Sequence, residues 1–440
     1  MVEYLFEPFL DLSNYFLEFY EYQKQLLSFI IWIFFIVFIS GIIKLIQSNK
    51  TNNFEKILSF IILIIYRFSL IFLIFILFII YTVFTPFNKI KLHPLINKIN
   101  TDNYFIVDFH THSFFSHDGI VSPEQNIIFH KKYNFNGIFL TDHNINKVNL
   151  IKKFTKKYNF YVFNGEEIQD KNNNALLILG CTTTLYLKSK NTEEIIKNVH
   201  KLGGIVIIAH WWQQKGFELE YFKKCNIDGF EVFGHTRKHL TIDDRLKLLK
   251  FCKENNFIML NGSNWHGWGY KNDLWTLVKI ENWHKYNDEF LEKKIIEFIK
   301  NKKTHKFINI TLFDYSDNYY IYNNLTGFVF EPFLGIYKCL REFNIHKIIS
   351  YFFWIFILFF SIKKYYKLNS RYKKTIKFIF NFLIFVIFLS FSLKFYFLWK
   401  NIYQYNKILL EISKTFLVIS LFFSIVSLLL NFLKNRYYLK

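Results

Sequence analysis

His110 and His112 stand two residues apart in Asp108-Phe109-His110-Thr111-His112, at the end of an apolar run. Side chains at i and i+2 of an extended strand leave the same face, so both neutral imidazoles can reach one metal ion. The spacing gains weight from a series of donor-rich segments farther along the chain. These are Ser116-His117-Asp118-Gly119, Ser122-Pro123-Glu124, Thr141-Asp142-His143, Gly165-Glu166-Glu167-Ile168, Ala209-His210 and Gly262-Ser263-Asn264-Trp265-His266. Most of these donors fall just past the carboxyl end of an apolar run, as a metal site at one mouth of a barrel requires. Hydrolysis of a phosphate ester at neutral pH needs a nucleophilic hydroxide and neutralised non-bridging oxygens, and clustered divalent ions supply both. The candidate ligands are His110, His112, Asp118 or His117, His143, Glu167, His210, Asn264 and His266.

The elements that must position these groups are short β-rich runs alternating with amphipathic segments between about residues 104 and 312. Seven runs are expected as strands: Tyr104–Phe109, Gly137–Leu140, Phe160–Phe163, Ala175–Leu179, Ile205–Ala209, Gly229–Phe233 and Phe257–Leu260. Helices are expected at Pro123–Tyr133, with Ser122 as N-cap and proline in the first helical position, and at Thr192–Leu202 and Asp243–Asn255. One more strand and a helix at Asp288–Lys300 should come after them.

The ordered series Asp-x-His-x-His, Ser-x-Asp-Gly with Ser-Pro-Glu, Thr-Asp-His, Gly-x-Glu-Ile, Ala-His and Gly-Ser-x-x-His resembles the polymerase and histidinol phosphatase (PHP) superfamily over about residues 104–270. The resemblance implies an α/β fold, a distorted (β/α)7 TIM-like barrel, with a two- or three-ion centre of zinc, manganese or iron that hydrolyses phosphoesters through a metal-activated water. It implies that His110 and His112 share an ion with Glu167 and Asn264, that Glu167 bridges to an ion held by His210, and that Asp118, His143 and His266 hold the remaining one. Two departures matter. Many members carry histidine where this chain has Ala175, and aspartate where it has Asn264. An amide oxygen is a neutral, weaker ligand, so fewer or weaker ions are expected than in a full trinuclear site.

A substrate side is suggested by His235, Arg237 and His239, where a guanidinium could clamp a phosphate bidentately. Trp211, Trp212, Trp265 and Trp268 flank the ligands as pocket walls or as packing, with packing expected for two of them. Two other functions remain in view: a barrel that binds or senses a phosphorylated ligand without hydrolysing it, and hydrolysis of a non-phosphate bond.

The 440 residues leave room for more than one soluble domain, and a hydrophobic content of 52% with 57 Phe points to membrane. Five spans are expected, at about 26–45, 63–84, 348–362, 376–393 and 416–433. Arg67 is expected to snorkel toward the interface. The resulting division is an N-terminal membrane segment (1–100), the hydrolase domain (101–312), a connector (313–347) and a C-terminal membrane segment (348–440). The net charge of +21 reflects a chain-wide enrichment in lysine rather than a patterned basic face, so no nucleic-acid partner is expected; the expected partners are the bilayer and a phosphorylated substrate. The basic stretch Lys363–Lys377 should be cytoplasmic, which puts the central domain on the opposite side. The acidic first 25 residues do not read as a cleaved signal peptide. Four cysteines, without CxxC pairing, do not look like zinc ligands, although an extracytoplasmic domain would allow a disulfide.

Overall fold

The computed structural model describes residues 22–46, 57, 60–61, 64, 67, 102–185, 190–213, 218–234, 242–267, 272, 274–311, 329–330, 345–401, 403–404 and 406–438. The chain forms two compact units. One comprises Phe87–Ser316 with Tyr405–Ile408, and the other comprises Met1–Pro86, Asp317–Gln404 and Leu409–Lys440.

The first unit is an α/β structure around one nine-stranded, nearly closed sheet. Its strands are β1 (Tyr104–Thr111), β2 (Gly137–Leu140), β3 (Tyr161–Gln169), β4 (Ala175–Leu179), β5 (Ile205–Ile208), β6 (Gly229–Phe233), β7 (Ile258–Asn261), β8 (Leu274–Lys279) and β9 (Phe307–Thr311), in the order β7-β6-β5-β4-β3-β2-β1-β8-β9. All seven expected runs are strands. The regular (β/α)7 count is not reproduced: β4 pairs antiparallel with both β3 and β5, and β8 pairs antiparallel with both β1 and β9. The reason is connection length. Between Gln169 and Ala175 the chain has only a tight turn, held by Asp170, which accepts from the backbone of Asn172 and Asn174 at 2.8 Å. A parallel return needs a crossover of a dozen residues or more.

Closure is made by side chains. β7 lies against β9, and Asn261 N–H donates to Thr276 Oγ1 at 2.9 Å while its amide donates to Ile310 O at 3.0 Å. Asn309 answers across the seam, donating to Met259 O at 2.8 Å. Inside the barrel Phe105, Phe109, Phe139 and Phe163 interleave, with Phe109 stacked on Phe139 at 5.1 Å, and the helix Asp288–Lys300 adds Leu291, Ile295 and Ile299 to the same core. Period-two alternation sends Ile106, Ile138 and Val162 to the outer face. Truncating a side chain such as Phe139 to alanine should cost about 3–5 kcal/mol.

The longer helices, in chain order, begin with α1 (Tyr22–Ile46), α2 (Pro123–Lys132), α3 (Thr192–Lys201), α4 (Ile242–Glu254) and α5 (Asp288–Lys300). They end with α6 (Ile345–Lys367), α7 (Ser370–Asn401) and α8 (Lys407–Tyr438). The start of α2 is encoded locally: Ser122 Oγ accepts from Gln125 N–H at 3.1 Å, the Gln125 side chain answers the Ser122 backbone, and Pro123 needs no partner for a missing N–H.

In the second unit, Asn381–Asn401 of α7 and Lys407–Ile425 of α8 are long and apolar enough to cross a membrane, while Ile31–Ile43 and Ile349–Ser361 are shorter apolar stretches. These stretches overlap the expected windows at 376–393 and 416–433, and most of the expected 63–84 span lies outside the described residues. Ser392 Oγ donates to Ser413 O at 2.9 Å and Ser413 Oγ returns to Ser392 O at 2.8 Å, a reciprocal pair of the kind that joins apolar helices. Arg67, expected to snorkel, donates to Ser40 Oγ at 2.7 Å, so a hydroxyl on the neighbouring helix gives the guanidinium a partner within an apolar stretch. Cys181, Cys225 and Cys252 are buried free thiols, and Cys339 lies outside the described residues.

Candidate metal centre

β1 carries His110 at its end and releases His112 one residue past it. A register break between Asp108 and Thr111 turns the strand end, the usual effect of a bulge beside a site. Both rings then reach Glu167 on β3: Glu167 Oε2 lies 3.1 Å from His110 Nε2 and 3.2 Å from His112 Nε2. The same oxygen is 3.3 Å from His143 Nδ1, and the other, Oε1, is 3.1 Å from His210 Nε2. Asn264 Oδ1 is 3.1 Å from His112 Nε2. One buried carboxylate thus gathers four imidazoles.

Asp118 organises a second group. Its Oδ2 lies 3.3 Å from His266 Nε2 and 3.5 Å from His143 Nε2. His117 Nε2 is farther, at 3.8 Å, and its side chain is 45% exposed against 19% for Asp118, so Asp118 faces the shared cavity more directly. The two groups adjoin, since the His112 and His266 rings stack at 4.0 Å. Among the described residues, His110, His112 and Glu167 form one set of donors whose ligand atoms lie within 4.8 Å of one another; His112, His143 and His266 form another, and His117, Asp118 and His143 a third.

The second ring nitrogen is also engaged in several of these histidines. His266 Nδ1 lies 2.8 Å from Asn264 O, which fixes the proton there and leaves Nε2 as the ligand atom. His112 Nδ1 is 3.2 Å from Ser116 Oγ, which also accepts from His143 N–H at 2.9 Å. His210 and Asn264 both have positive φ, 30° and 49°, strain that a histidine tolerates only when its surroundings hold it. Glu231 does so by accepting from His210 N–H at 2.7 Å.

The charges are strongly coupled. Burial opposes ionisation of Glu167, yet the neighbouring His143 and His110 hold its carboxyl well below the usual range. Asp118 is likewise held low, against its own burial, by His266 and His143. Burial and the nearby His266 push His112 well below the usual imidazole value, which leaves it neutral and ready to ligate. His110 goes the other way, to about 10, because Glu167 and Glu231 outweigh its burial.

The residues fit a divalent cation. The donors are imidazole and carboxylate, and two buried atoms, Asp118 Oδ1 and His210 Nδ1, have no hydrogen-bond partner. The fourth run contributes nothing. Ala175 is packed into the barrel interior and brings no imidazole to the centre.

Two residues of the centre, Glu231 and His130, are not apparent from sequence, and Asp108 is visible there only as the first residue of the Asp-x-His-x-His motif, without a role. Glu231, buried on β6, places Oε1 3.3 Å from His110 Nδ1. Gly262 permits this approach, since a Cβ there would fall 2.4 Å from His110 Cβ and 2.6 Å from Glu231 Oε1. Asp108 and His130 form a fully buried pair at 2.8 Å, and Asp108 Oδ1 accepts from His110 N–H and Ser263 N–H at 3.1 and 2.9 Å. That pair ties α2 and the end of β7 to the ligand-bearing strand. The signal for it is a carboxylate within an apolar strand, which cannot stay unpaired when buried. Trp211 and Trp212 pack in the outer core and Trp265 stacks on Phe129 at 3.7 Å, so all three are packing residues. His235, Arg237, His239 and Trp268 lie outside the described residues.

Neither a protein-family model nor a curated protein matches this sequence. Among solved structures the chain is similar to a two-domain protein from Bacteroides vulgatus containing a predicted PHP-like metal-dependent phosphoesterase, at 18% identity over 51% of this chain and 68% of that one, with a TM-score of 0.38. It is similar to a Bifidobacterium adolescentis protein provisionally assigned as a metal-dependent phosphoesterase, at 17% identity over 38% of this chain and 89% of that one, TM-score 0.33. A third is an amidohydrolase from Chromobacterium violaceum with bound sulfate and no metal, at 15% identity over 36% of this chain and 87% of that one, TM-score 0.31. At scores of this size the likeness adds nothing to the site, which stands on its own residues.

Proposed function

We propose that this chain is a membrane-anchored, metal-dependent phosphoesterase of the PHP type. The observation that supports it most is the convergence of His110, His112, His143 and His210 on the single buried carboxylate of Glu167, with Asp118 and His266 alongside. Bound divalent ions would supply Lewis acidity and lower the pKa of a coordinated water. His110, His112, Glu167 and Asn264 would hold one ion, and Asp118, His143 and His266 a second. Glu231 holds the His110 ring from behind, and Ser116 and the Asn264 carbonyl orient His112 and His266. His235 and Arg237 are proposed to meet the phosphate. α7 and α8 are proposed to anchor the enzyme, with the barrel on the extracytoplasmic side.

A second reading, a barrel that binds a phosphorylated ligand without hydrolysis, is favoured by the neutral Asn264 ligand and by Ala175, which brings no donor. Turnover of an aryl phosphate by the full-length chain, compared with His110→Ala, separates the two. Hydrolysis lost in the variant supports the enzyme; metal bound without hydrolysis of any phosphoester supports the binder.

A further inference from the structure

Tyr405–Ile408, which runs from the residues after α7 into the first turn of α8, belongs to the barrel unit. Asn406 is fully buried, and its amide nitrogen donates to Gly119 O at 2.7 Å and to Phe114 O at 3.1 Å. A primary amide nitrogen carries two hydrogens, so these bonds use both. The two carbonyls lie on either side of the segment that carries Ser116, His117 and Asp118. That segment is folded back on itself, with Phe114 N–H donating to Val121 O at 2.8 Å and Ser116 N–H to Ser113 O at 2.9 Å. Gly119 sits where a Cβ would fall 2.0 Å from Ser113 O, so the loop has no slack. Ile120 N–H donates to His266 O at 2.8 Å, which joins the loop to a second ligand of the same group.

Oδ2 of Asp118 faces the imidazoles and Oδ1 is buried without a hydrogen-bond partner, so the backbone of the loop decides where the carboxylate stands. In the Glu167 group, in contrast, His110 and Glu167 stand on strands β1 and β3 and His112 directly follows β1.

We propose that Asn406 is a positioning residue that fixes the Asp118 loop and thereby sets the affinity of the ion held by Asp118, His143 and His266, leaving the ion held by His110, His112 and Glu167 untouched. This rests on the proposed function, in which the cluster holds divalent ions.

The test is a Co²⁺ titration of the full-length, chelator-stripped chain in detergent micelles, monitored by calorimetry and visible absorption. The wild type should bind in two steps. Asn406→Ala removes both donors and Asn406→Asp keeps the shape while replacing donors with acceptors; each should weaken one step about 10–100-fold, the size of effect typical of groups that orient ligands, and leave the other unchanged. Adding Asn406→Ala to His266→Ala should change nothing further. Circular dichroism checks folding, and Asn406→Ser, which keeps one donor, supplies the comparison should the alanine variant unfold. Two unchanged steps in folded variants, or both steps weakened equally, overturn the role of Asn406 alone. A wild type that binds no metal overturns the metal reading and this inference with it.

Discussion

Oε1 of Glu231 lies 3.3 Å from Nδ1 of His110, on the edge of the ring opposite the Nε2 that meets Glu167 at 3.1 Å. The imidazole is thus held between two buried carboxylates, one on the cavity side and one behind it. A carboxylate behind a ligand histidine fixes the ring and raises its basicity. Glu231→Gln keeps the volume and removes the charge, and metal affinity should fall about 10–100-fold with the fold intact. Calorimetric titration with Zn²⁺ or Mn²⁺ measures this; an affinity equal to the wild type would leave Glu231 a purely structural residue.

Asn264 offers a neutral oxygen 3.1 Å from His112 Nε2, from a left-handed backbone that aspartate also tolerates. Asn264→Asp adds a formal charge to the ligand set and should tighten the ion shared with His112 by about tenfold or more. Equal or weaker binding in the same titration would show that Asn264 does not face an ion.

Most of the barrel strands are legible in the sequence because branched and aromatic runs of four to eight residues stand out against their flanks. The ligands are legible for a related reason: they come after strand ends, where a charged or imidazole residue closing an apolar run is conspicuous. The β3–β4 hairpin reads instead as a βα unit, although the short Asp170–Asn174 interval leaves no room for a crossover. Glu231 and the pairing of Asp108 with His130 stay hidden because the partners are distant in sequence or on another element, and no local pattern encodes such pairs. Asn406 is the extreme case, nearly three hundred residues from Phe114.

Glu166 is buried with one acceptor oxygen bonded to Leu185 N–H at 3.0 Å and the other unpartnered, and burial pushes its carboxyl up to about 7. A carboxyl raised by folding costs stability as it ionises, so the loss begins as pH climbs past the ordinary value of 4.5 and is complete above about 7. Glu166→Gln should therefore stabilise the metal-free protein by up to about 3 kcal/mol above pH 7 and change little below pH 4.5. Denaturant unfolding across that range checks it, and a gain at low pH that vanishes at high pH would contradict the assignment.

The basic stretch Lys363–Lys377 occupies the end of α6 and the start of α7. If it is cytoplasmic, reporters fused at Ser316 and at Asn369 should give opposite signals, with the second one inside. Matching signals would refute the arrangement of spans between them.

The most direct test of the centre is phosphoester turnover by the full-length, chelator-stripped chain as a divalent metal is added back. The expected result is turnover that is absent without metal, rises to a plateau at about two equivalents, and stays absent in Glu167→Gln at every metal level. Turnover that survives stripping, or a Glu167→Gln variant as active as the wild type, would contradict a metal-dependent hydrolase built on this cluster.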